Sequence, residues 1–185
     1  MGTVKTPILQ DSFTDVDGTT LQNHTADSGH NWIKYYYANS VIQGDQLRRE
    51  NDGNGSIYKA NVPFTVNDQY VKMVVGAFPK DSFVRAMLRA GSTSYSQKVV
   101  CNISFNAPVV TVSCTGNQDV PVTVVPGDVV EFRVGVNGIV TFSVNGTVIV
   151  TFPIAVSITQ VGNFFWLQMG TGEVLIDNME VGEYQ

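Results

Sequence analysis

Charge is scarce in this 185-residue sequence, where only 15% of residues are Asp, Glu, Lys or Arg. Its 11 basic residues are outnumbered by 16 acids, for a net charge of −5. Nucleic-acid binding rests on neutralising phosphates with clustered basic side chains, so no nucleic-acid partner is expected. No run of 18 apolar residues occurs, so no membrane-spanning helix and no membrane partner are expected. Residues 1–10, MGTVKTPILQ, lack an apolar stretch followed by a small-residue cleavage site, and no signal peptide is read there. The two cysteines, Cys101 and Cys114, are too few for a four-ligand zinc site. No segment shows a helical period with caps. Low Lys and Glu content argues against a helical bundle, and a 43% hydrophobic fraction argues against disorder.

What the sequence has instead is alternation. Val, Thr, Phe and Tyr dominate the apolar runs and recur at every second position. Strands are expected near 8–13, 32–37, 45–49, 56–60, 70–78, 83–90, 95–105, 109–115, 128–136, 139–144, 147–152, 164–169 and 174–181. Turn clusters separate them, including Asp17-Gly18, residues 51–55 and 79–82, Asn137-Gly138 and Asn145-Gly146. This spacing argues for an all-β sandwich or barrel, and the length fits one domain at roughly 100–200 residues per domain. A domain of this size buries roughly 70% of its unfolded surface and needs no disulfide or metal staple.

Three hairpins can be registered by arithmetic. The first joins 70–78 to 83–90. Pairing Phe78 with Phe83 sets Val71, Met73, Val75 and Ala77 beside Val84, Ala86, Leu88 and Ala90, an unbroken apolar face. Tyr70, Lys72, Val74, Arg85, Met87 and Arg89 then share the opposite face, with Lys72 directly across from Arg89. Like charges facing each other destabilise a sheet, so an acidic neighbour or an anionic ligand is expected there. The second hairpin turns at Ala107-Pro108 and pairs Phe105 with Val110, Ile103 with Val112, and Cys101 with Cys114. The cysteines are therefore expected as core neighbours, and buried thiols are favoured over a disulfide in the absence of a secretion signal. Asn102, Ser104, Thr111 and Ser113 fall on the other face. The third region, VNGIVTF at 136–142 and VNGTVIVTF at 144–152, is a tight meander, since Asn-Gly is the strongest two-residue hairpin signal.

Three stretches carry a family resemblance: DSFTDVDGTTLQNHTADSGHNW (11–32), GDVVEFRVGVNGIVTFSVNGTVIVTF (127–152) and GTGEVLIDNMEV (170–181). In that order they resemble the first strand and loop, the backbone strands and the closing strand of concanavalin A-like lectin/glucanase jelly rolls of the LamG-like kind. The resemblance is to the form found in phage virion and bacterial-surface proteins. It implies an antiparallel two-sheet jelly-roll β-sandwich, with residues 1–10 as an N-terminal arm and 11–185 as the domain. It also implies that the closing strand lies beside the first. This superfamily hosts lectins, glycosidases, adhesion modules and virion proteins, so fold does not settle function.

Enzyme signatures are missing. Glucanases of this fold carry an E-x-D-x-x-E strand, which sets carboxylates on one face for a pair about 5–5.5 Å apart. The sequence has no such string. His24, His30 and Asp27 share one loop, yet no G-x-S-x-G elbow accompanies them. Hydrogen bonding within an ordered loop anchored by Trp32 is the favoured reading of both histidines. No enzyme is expected and no catalytic residue is assigned. No cofactor is expected either, apart from the structural calcium that the superfamily often holds. Asp11, Asp15, Asp17 and Asp177 are the acids available for it, and a plain turn at 15–18 is the favoured reading.

A sugar has an apolar face and a hydroxyl rim, so its site is an aromatic platform edged by polar side chains. Two places offer this. One holds Tyr35, Tyr36, Tyr37, Arg49, Asp52, Asn54 and Tyr58. Strict alternation would set Tyr36 on the face opposite Tyr35 and Tyr37. The other is the outward face of the first hairpin, with Tyr70, Lys72, Arg85 and Arg89, extended by Glu131 and Arg133. Glu131 is the candidate partner for Lys72 and Arg89. The leading expectation is a non-enzymatic virion surface protein, assembled in a host cytoplasm as a homo-oligomer or symmetric assembly. Its partners would be capsid or tail proteins, with weak affinity for a host surface glycan. The termini, 1–10 and Glu183-Tyr184-Gln185, are candidate docking elements. The alternative is a bacterial-surface carbohydrate-binding or adhesion module.

Overall fold

The computed structural model describes residues 4–49, 55–78, 81–90, 99–106, 109–154, 164–170 and 172–185. Fifteen strands run in order: β1 (Lys5–Asp11), β2 (Trp32–Tyr37), β3 (Ser40–Ile42), β4 (Leu47–Arg49), β5 (Ser56–Asn61), β6 (Gln69–Val75), β7 (Ser82–Ala90), β8 (Val99–Asn106), β9 (Val109–Cys114), β10 (Val120–Val122), β11 (Val129–Val134), β12 (Ile139–Val144), β13 (Thr147–Pro153), β14 (Phe164–Met169) and β15 (Ile176–Tyr184). One turn of 3-10 helix, Leu21–Asn23, interrupts the first loop. An eight-stranded sheet has the order β13-β12-β11-β6-β15-β4-β3, with β1 also pairing β15. A seven-stranded sheet has the order β10-β9-β8-β7-β14-β5-β2. Both are antiparallel, and of the sandwich or barrel that the alternation left open the chain is the two-sheet jelly-roll sandwich that the resemblance implied.

Alternation builds the core. Val71, Met73 and Val75 of β6, Phe132 of β11 and Phe142 of β12 face inward from one sheet. Val84, Ala86 and Leu88 of β7, Tyr58 of β5, and Phe165 and Leu167 of β14 face inward from the other. Each such Val, Leu or Phe contributes roughly 1.5–3 kcal/mol by leaving water.

The second and third hairpins take the expected registers. Cys101 lies opposite Cys114, Ile103 opposite Val112, and Phe105 opposite Val110. The turn at 107–108 lies outside the described residues. Both cysteines are buried thiols, and burial, reinforced by Cys114, pushes the Cys101 pKa up and keeps it unreactive. Asn145 and Gly146 adopt φ of 50° and 80°, the pair of positive angles a type I′ turn requires.

The first hairpin does not form. β6 pairs with β11 and β15, while β7 pairs with β8 and β14 in the other sheet. The two apolar faces do meet, but across the sandwich rather than edge to edge. Lys72 consequently lies between Glu131 and Glu180, not opposite Arg89. The expected N-terminal arm is also reassigned: from Lys5 onward it is β1, paired with β15. Glu183 and Tyr184 belong to β15, with Glu183 buried and accepting bonds from the Thr65 and Val66 N–H groups and the Thr65 hydroxyl. Two three-residue strands were not expected from the sequence: β3, whose residues are all buried, and β10, which sets Val120 and Val122 toward the core and an exposed Pro121 on a sheet edge.

Two buried polar contacts lock the ends of the sandwich. Asp11 at the end of β1 accepts bonds from Trp32 Nε1 (2.7 Å) and the Phe13 N–H (2.8 Å). It also meets His24 Nε2 at 2.9 Å, while His24 Nδ1 meets Asp15 at 3.1 Å. A ring flanked by a carboxylate at each nitrogen carries both protons. Burial opposes that charge, but Asp11 and Asp15 outweigh it, and the His24 pKa lies above the ordinary histidine value. Asp17 instead accepts from the Gly44 N–H, and Asp177 from Gln46. Of the four aspartates considered for calcium, Asp11 and Asp15 thus share His24 while Asp17 and Asp177 bind other protein donors, and among the described residues no group of three His, Cys, Asp or Glu is placed to hold a metal ion.

At the other end, Arg89 stands in a bulge of β7 with φ of 52°. Its side chain is buried and donates to the carbonyls of Asn67 and Gly135, while its N–H donates to Gln69 Oε1. Arg89 therefore leaves the surface face where the sequence placed it.

Two outcomes are expected. A group whose pKa rises on folding stabilises fully below its unfolded value, near 6.5 for histidine, and loses that contribution as pH climbs through its folded value. His24→Gln should cost about 3 kcal/mol near pH 6, with the gap in Tm to the wild type narrowing as pH rises; a gap constant from pH 6 to 9 would refute the charged ring. Arg89→Met should cost about 3 kcal/mol by stranding buried carbonyls, and denaturant melts showing a loss under about 1 kcal/mol would refute that role.

Candidate functional site

The core takes one face of every strand, leaving two outer faces for function. On the eight-stranded sheet, β11, β6 and β15 set Glu131, Lys72 and Glu180 in one row, and Arg133, Tyr70 and Gly182 in the next. Four of the predicted residues, Tyr70, Lys72, Glu131 and Arg133, do share this face. Their side chains bind neighbours rather than one another. Lys72 pairs with Glu180 at 3.0 Å, and Arg133 grips Asp68 with two bonds of 2.7 and 2.6 Å. Glu131 takes Lys5 Nζ and the Tyr184 hydroxyl. Tyr70 is buried, donates to Glu180 at 2.8 Å, and lies where a side chain at residue 182 would have to go. Burial and Glu180 push the Tyr70 hydroxyl pKa far up. Glu180 itself, against the effect of burial, is held below the usual carboxylate range by Lys72 and Tyr70. A groove of about 460 Å³ opens here between Gln10, Asp27, Asn178, Lys72 and Glu180. Its charged floor is already paired.

The seven-stranded sheet differs. None of its strands contains Asp or Glu. A polar row crosses four of them in direct register, Gln168, Arg85, Asn102 and Ser113, and ends against the buried Ile57 of β5. At about 4.8 Å between strands this row spans roughly 14 Å. Arg85 is the middle of it. Its guanidinium stands 4.2 Å from the Phe83 ring centre, and it donates to Asn102 Oδ1 (3.2 Å) and Gln168 Oε1 (3.4 Å). Phe83 has room only because residue 170 is glycine, where a Cβ would come within 2.6 Å of the ring. Asn102 in turn donates to the Ser104 hydroxyl at 2.8 Å. Arg85, Asn102, Ser104 and Ser113 line an open cleft of about 380 Å³, with Asn117 and Asp119 at its end.

An aromatic wall flanks the row. Trp166 and Phe164 alternate outward on β14 with Gln168, against the inward Phe165, Leu167 and Met169. Trp166 packs with Ile57, Met87 and Ala90, and Tyr35 stands edge-on to it at 4.8 Å. Lys59 lies over both Phe164 and Trp166. Tyr35 and Tyr36 touch at 4.6 Å and are both exposed, contrary to strict alternation, because a bulge at 34–36 shifts the register of β2.

The predicted residues thus fall in three places. Tyr70, Lys72, Glu131 and Arg133 lie on the eight-stranded face; Arg85 and Tyr35 lie on the seven-stranded face; Arg89 is internal. Tyr37 pairs through its backbone with Ser56, Tyr58 and Arg49 are buried, and Asp52 and Asn54 lie outside the described residues. Sequence reasoning passed over Gln168, Trp166, Phe164 and Lys59. The alternation of β14 alone was enough to put the first three on one face.

The sequence matches no family model and no curated protein. Its fold is shared with solved structures. The catalytic domain of an endo-1,3-beta-glucanase (laminarinase) from Thermotoga petrophila aligns over 100% of both chains, at a TM-score of 0.67 and 9% identity. SCLam, a non-specific endo-beta-1,3(4)-glucanase from family GH16, aligns over 100% of this chain and 94% of its own, at 0.68 and 8%. The carbohydrate-binding module CBM66 from Bacillus subtilis aligns over 80% of this chain and 94% of its own, at 0.56 and 10%. At these identities the likeness establishes the concanavalin A-like jelly roll itself.

Proposed function

We propose that the chain is a carbohydrate-binding module without enzymatic activity, and that its glycan lies along the outer face of the seven-stranded sheet. The observation that carries this reading is the row Gln168–Arg85–Asn102–Ser113 beside the exposed Tyr35 and the half-buried Phe164, which the buried Trp166 backs. An aromatic side supplies apolar contact for a sugar ring, and a fixed polar floor meets its oxygens.

The disposition of carboxylates supports a binder over a hydrolase. A glycosidase needs one carboxyl group that holds a proton and a second that does not. Glu131 and Glu180 flank Lys72 on the eight-stranded face, and Glu180 is held in its ionised form by that lysine. The strands beneath the aromatic wall bring no carboxylate at all. The fold neighbours comprise glucanases and a carbohydrate-binding module, and it is the second kind whose work needs no acid pair. A virion setting draws on none of these features and is not part of the proposal.

Calorimetric titration against a panel of neutral and acidic polysaccharides is expected to find a binder, with no reducing ends released. Tyr35→Ala, a change at an exposed position, should weaken that binding by about tenfold, as loss of one stacking aromatic does, and leave Tm nearly unchanged. Binding undisturbed by Tyr35→Ala, or mapping by chemical shift to the Lys72–Glu180 groove, would overturn this choice of face.

A further inference from the structure

The polar row of the seven-stranded sheet is an array of donors. Arginine donates and never accepts, so the amides beside Arg85 must both turn their oxygens toward it. Asn102 Oδ1 and Gln168 Oε1 thereby each accept from Arg85, and one N–H of the Asn102 amino group goes to Ser104. What the row still offers outward is the Gln168 amino group, the second N–H of Asn102, the Ser104 and Ser113 hydroxyls, and three of the five N–H groups of Arg85, fixed in one plane by the Phe83 ring.

Charge is segregated in the same sense. The strands of this sheet carry Lys34, Lys59, Arg85 and Arg89 and no acid, in a chain whose net charge is −5. Every acid that lies in a described strand belongs to the other sheet: Asp11, Glu131, Asp177, Glu180 and Glu183. On that sheet Lys72 and Arg133 are each matched to a carboxylate. Arg85 is matched only to neutral amides and a ring.

Resting on the glycan-binding reading above, we infer that this face takes a carboxylated polysaccharide, a chain of sugar acids, with one carboxylate seated bidentate on Arg85. A sugar hydroxyl presents a single oxygen to the Arg85 fork. A carboxylate only accepts, and its two oxygens match the planar fork. The Gln168 amino group lies one strand away, within reach of the same or the adjoining sugar. The aromatic wall and the roughly 14 Å row favour a sugar chain over an isolated anion.

The test compares polymers that differ only in charge. Polygalacturonate, alginate and hyaluronate are titrated against the wild-type protein alongside their methyl-esterified forms, with sulfated dextran as a general polyanion and sialyllactose as a short sugar acid. At least one carboxylated ligand is expected to bind about tenfold or more tightly than its ester, with the preference shrinking as salt rises. Arg85→Gln should erase that preference, and Arg85→Lys should restore only part of it, since a point charge does not replace a fork. Both variants should keep the wild-type Tm. Acid and ester binding alike would overturn the inference while leaving glycan binding in place. Sulfated dextran binding as tightly as the best carboxylated polymer would also overturn it, in favour of nonspecific polyanion attraction. Failure of every polysaccharide, charged or neutral, would instead remove the glycan reading beneath it.

Discussion

A strand has two faces, and in this protein the core claims one face of nearly every strand. Everything else follows from that allocation. The side chains that pack Phe132, Phe142, Phe165 and Leu88 between the sheets fix which residues point outward, and a one-residue slip in any strand would exchange the two sets. The outer rows are therefore as firmly registered as the core. Gln168, Arg85 and Asn102 stand in line because Leu167, Ala86 and Cys101 do. Where the allocation is broken, it is broken by a bulge with a consequence. The bulge in β2 brings Tyr36 out beside Tyr35, and the one in β7 turns Arg89 inward to close the sandwich end.

The two outer faces show opposite treatments of charge. On the eight-stranded sheet, cations and carboxylates alternate across neighbouring strands, so each cross-strand contact is between opposite signs: Glu131 beside Lys72, and Lys72 beside Glu180. Partly buried pairs of this kind satisfy their own hydrogen-bonding capacity and leave little for a ligand. The seven-stranded sheet solves a different problem. A lone Arg85 on a carboxylate-free sheet is stabilised by polarisable and dipolar neighbours, the Phe83 ring and two amide oxygens, which hold it without neutralising it. That arrangement preserves a charge at a defined place, which is what a binding surface requires and a purely structural ion pair does not.

Much of this was legible before any coordinates. Fold class, the Cys101–Cys114 register and the Asn145-Gly146 turn all follow from local pattern, because side-chain period, hairpin register and turn chemistry are short-range constraints. The failure at 70–90 is informative for the same reason. An apolar face on each of two consecutive strands must find the other, and it can do so side by side in one sheet or face to face across two. Both arrangements bury Val71, Met73, Val84 and Ala86 alike, so alternation cannot separate them. The choice is made by β11, β15, β8 and β14, which arrive from far along the chain to take the edges. The clash of Lys72 with Arg89 that the hairpin required was a sign against it. Lys72 does have acidic neighbours: Glu131, named for it from the sequence, stands beside it in register, and the ion pair itself is made with Glu180, which was not named.

The candidate site was half legible by the same logic. Asn102, Ser104 and Ser113 were already assigned to one outward face, and Arg85 was singled out, but they were placed in separate regions because β7 was paired with β6. Once β7 is moved beside β8, the two readings merge, with Arg85, Asn102, Ser104 and Ser113 all keeping the outward face read for them from the sequence. The long-range pairing thus did more than correct the topology. It separated Arg85 from the carboxylates of the eight-stranded sheet, to which the hairpin would have joined it, and so changed its role from one member of an ion-pair network to a cation held by neutral amides on strands that carry no carboxylate. A guanidinium within that network would be satisfied by Glu131 or Glu180; on β7 it has only amides and a ring, and the remaining N–H groups point to the solvent side. Which sheet a strand joins therefore decides which of the two faces can bind.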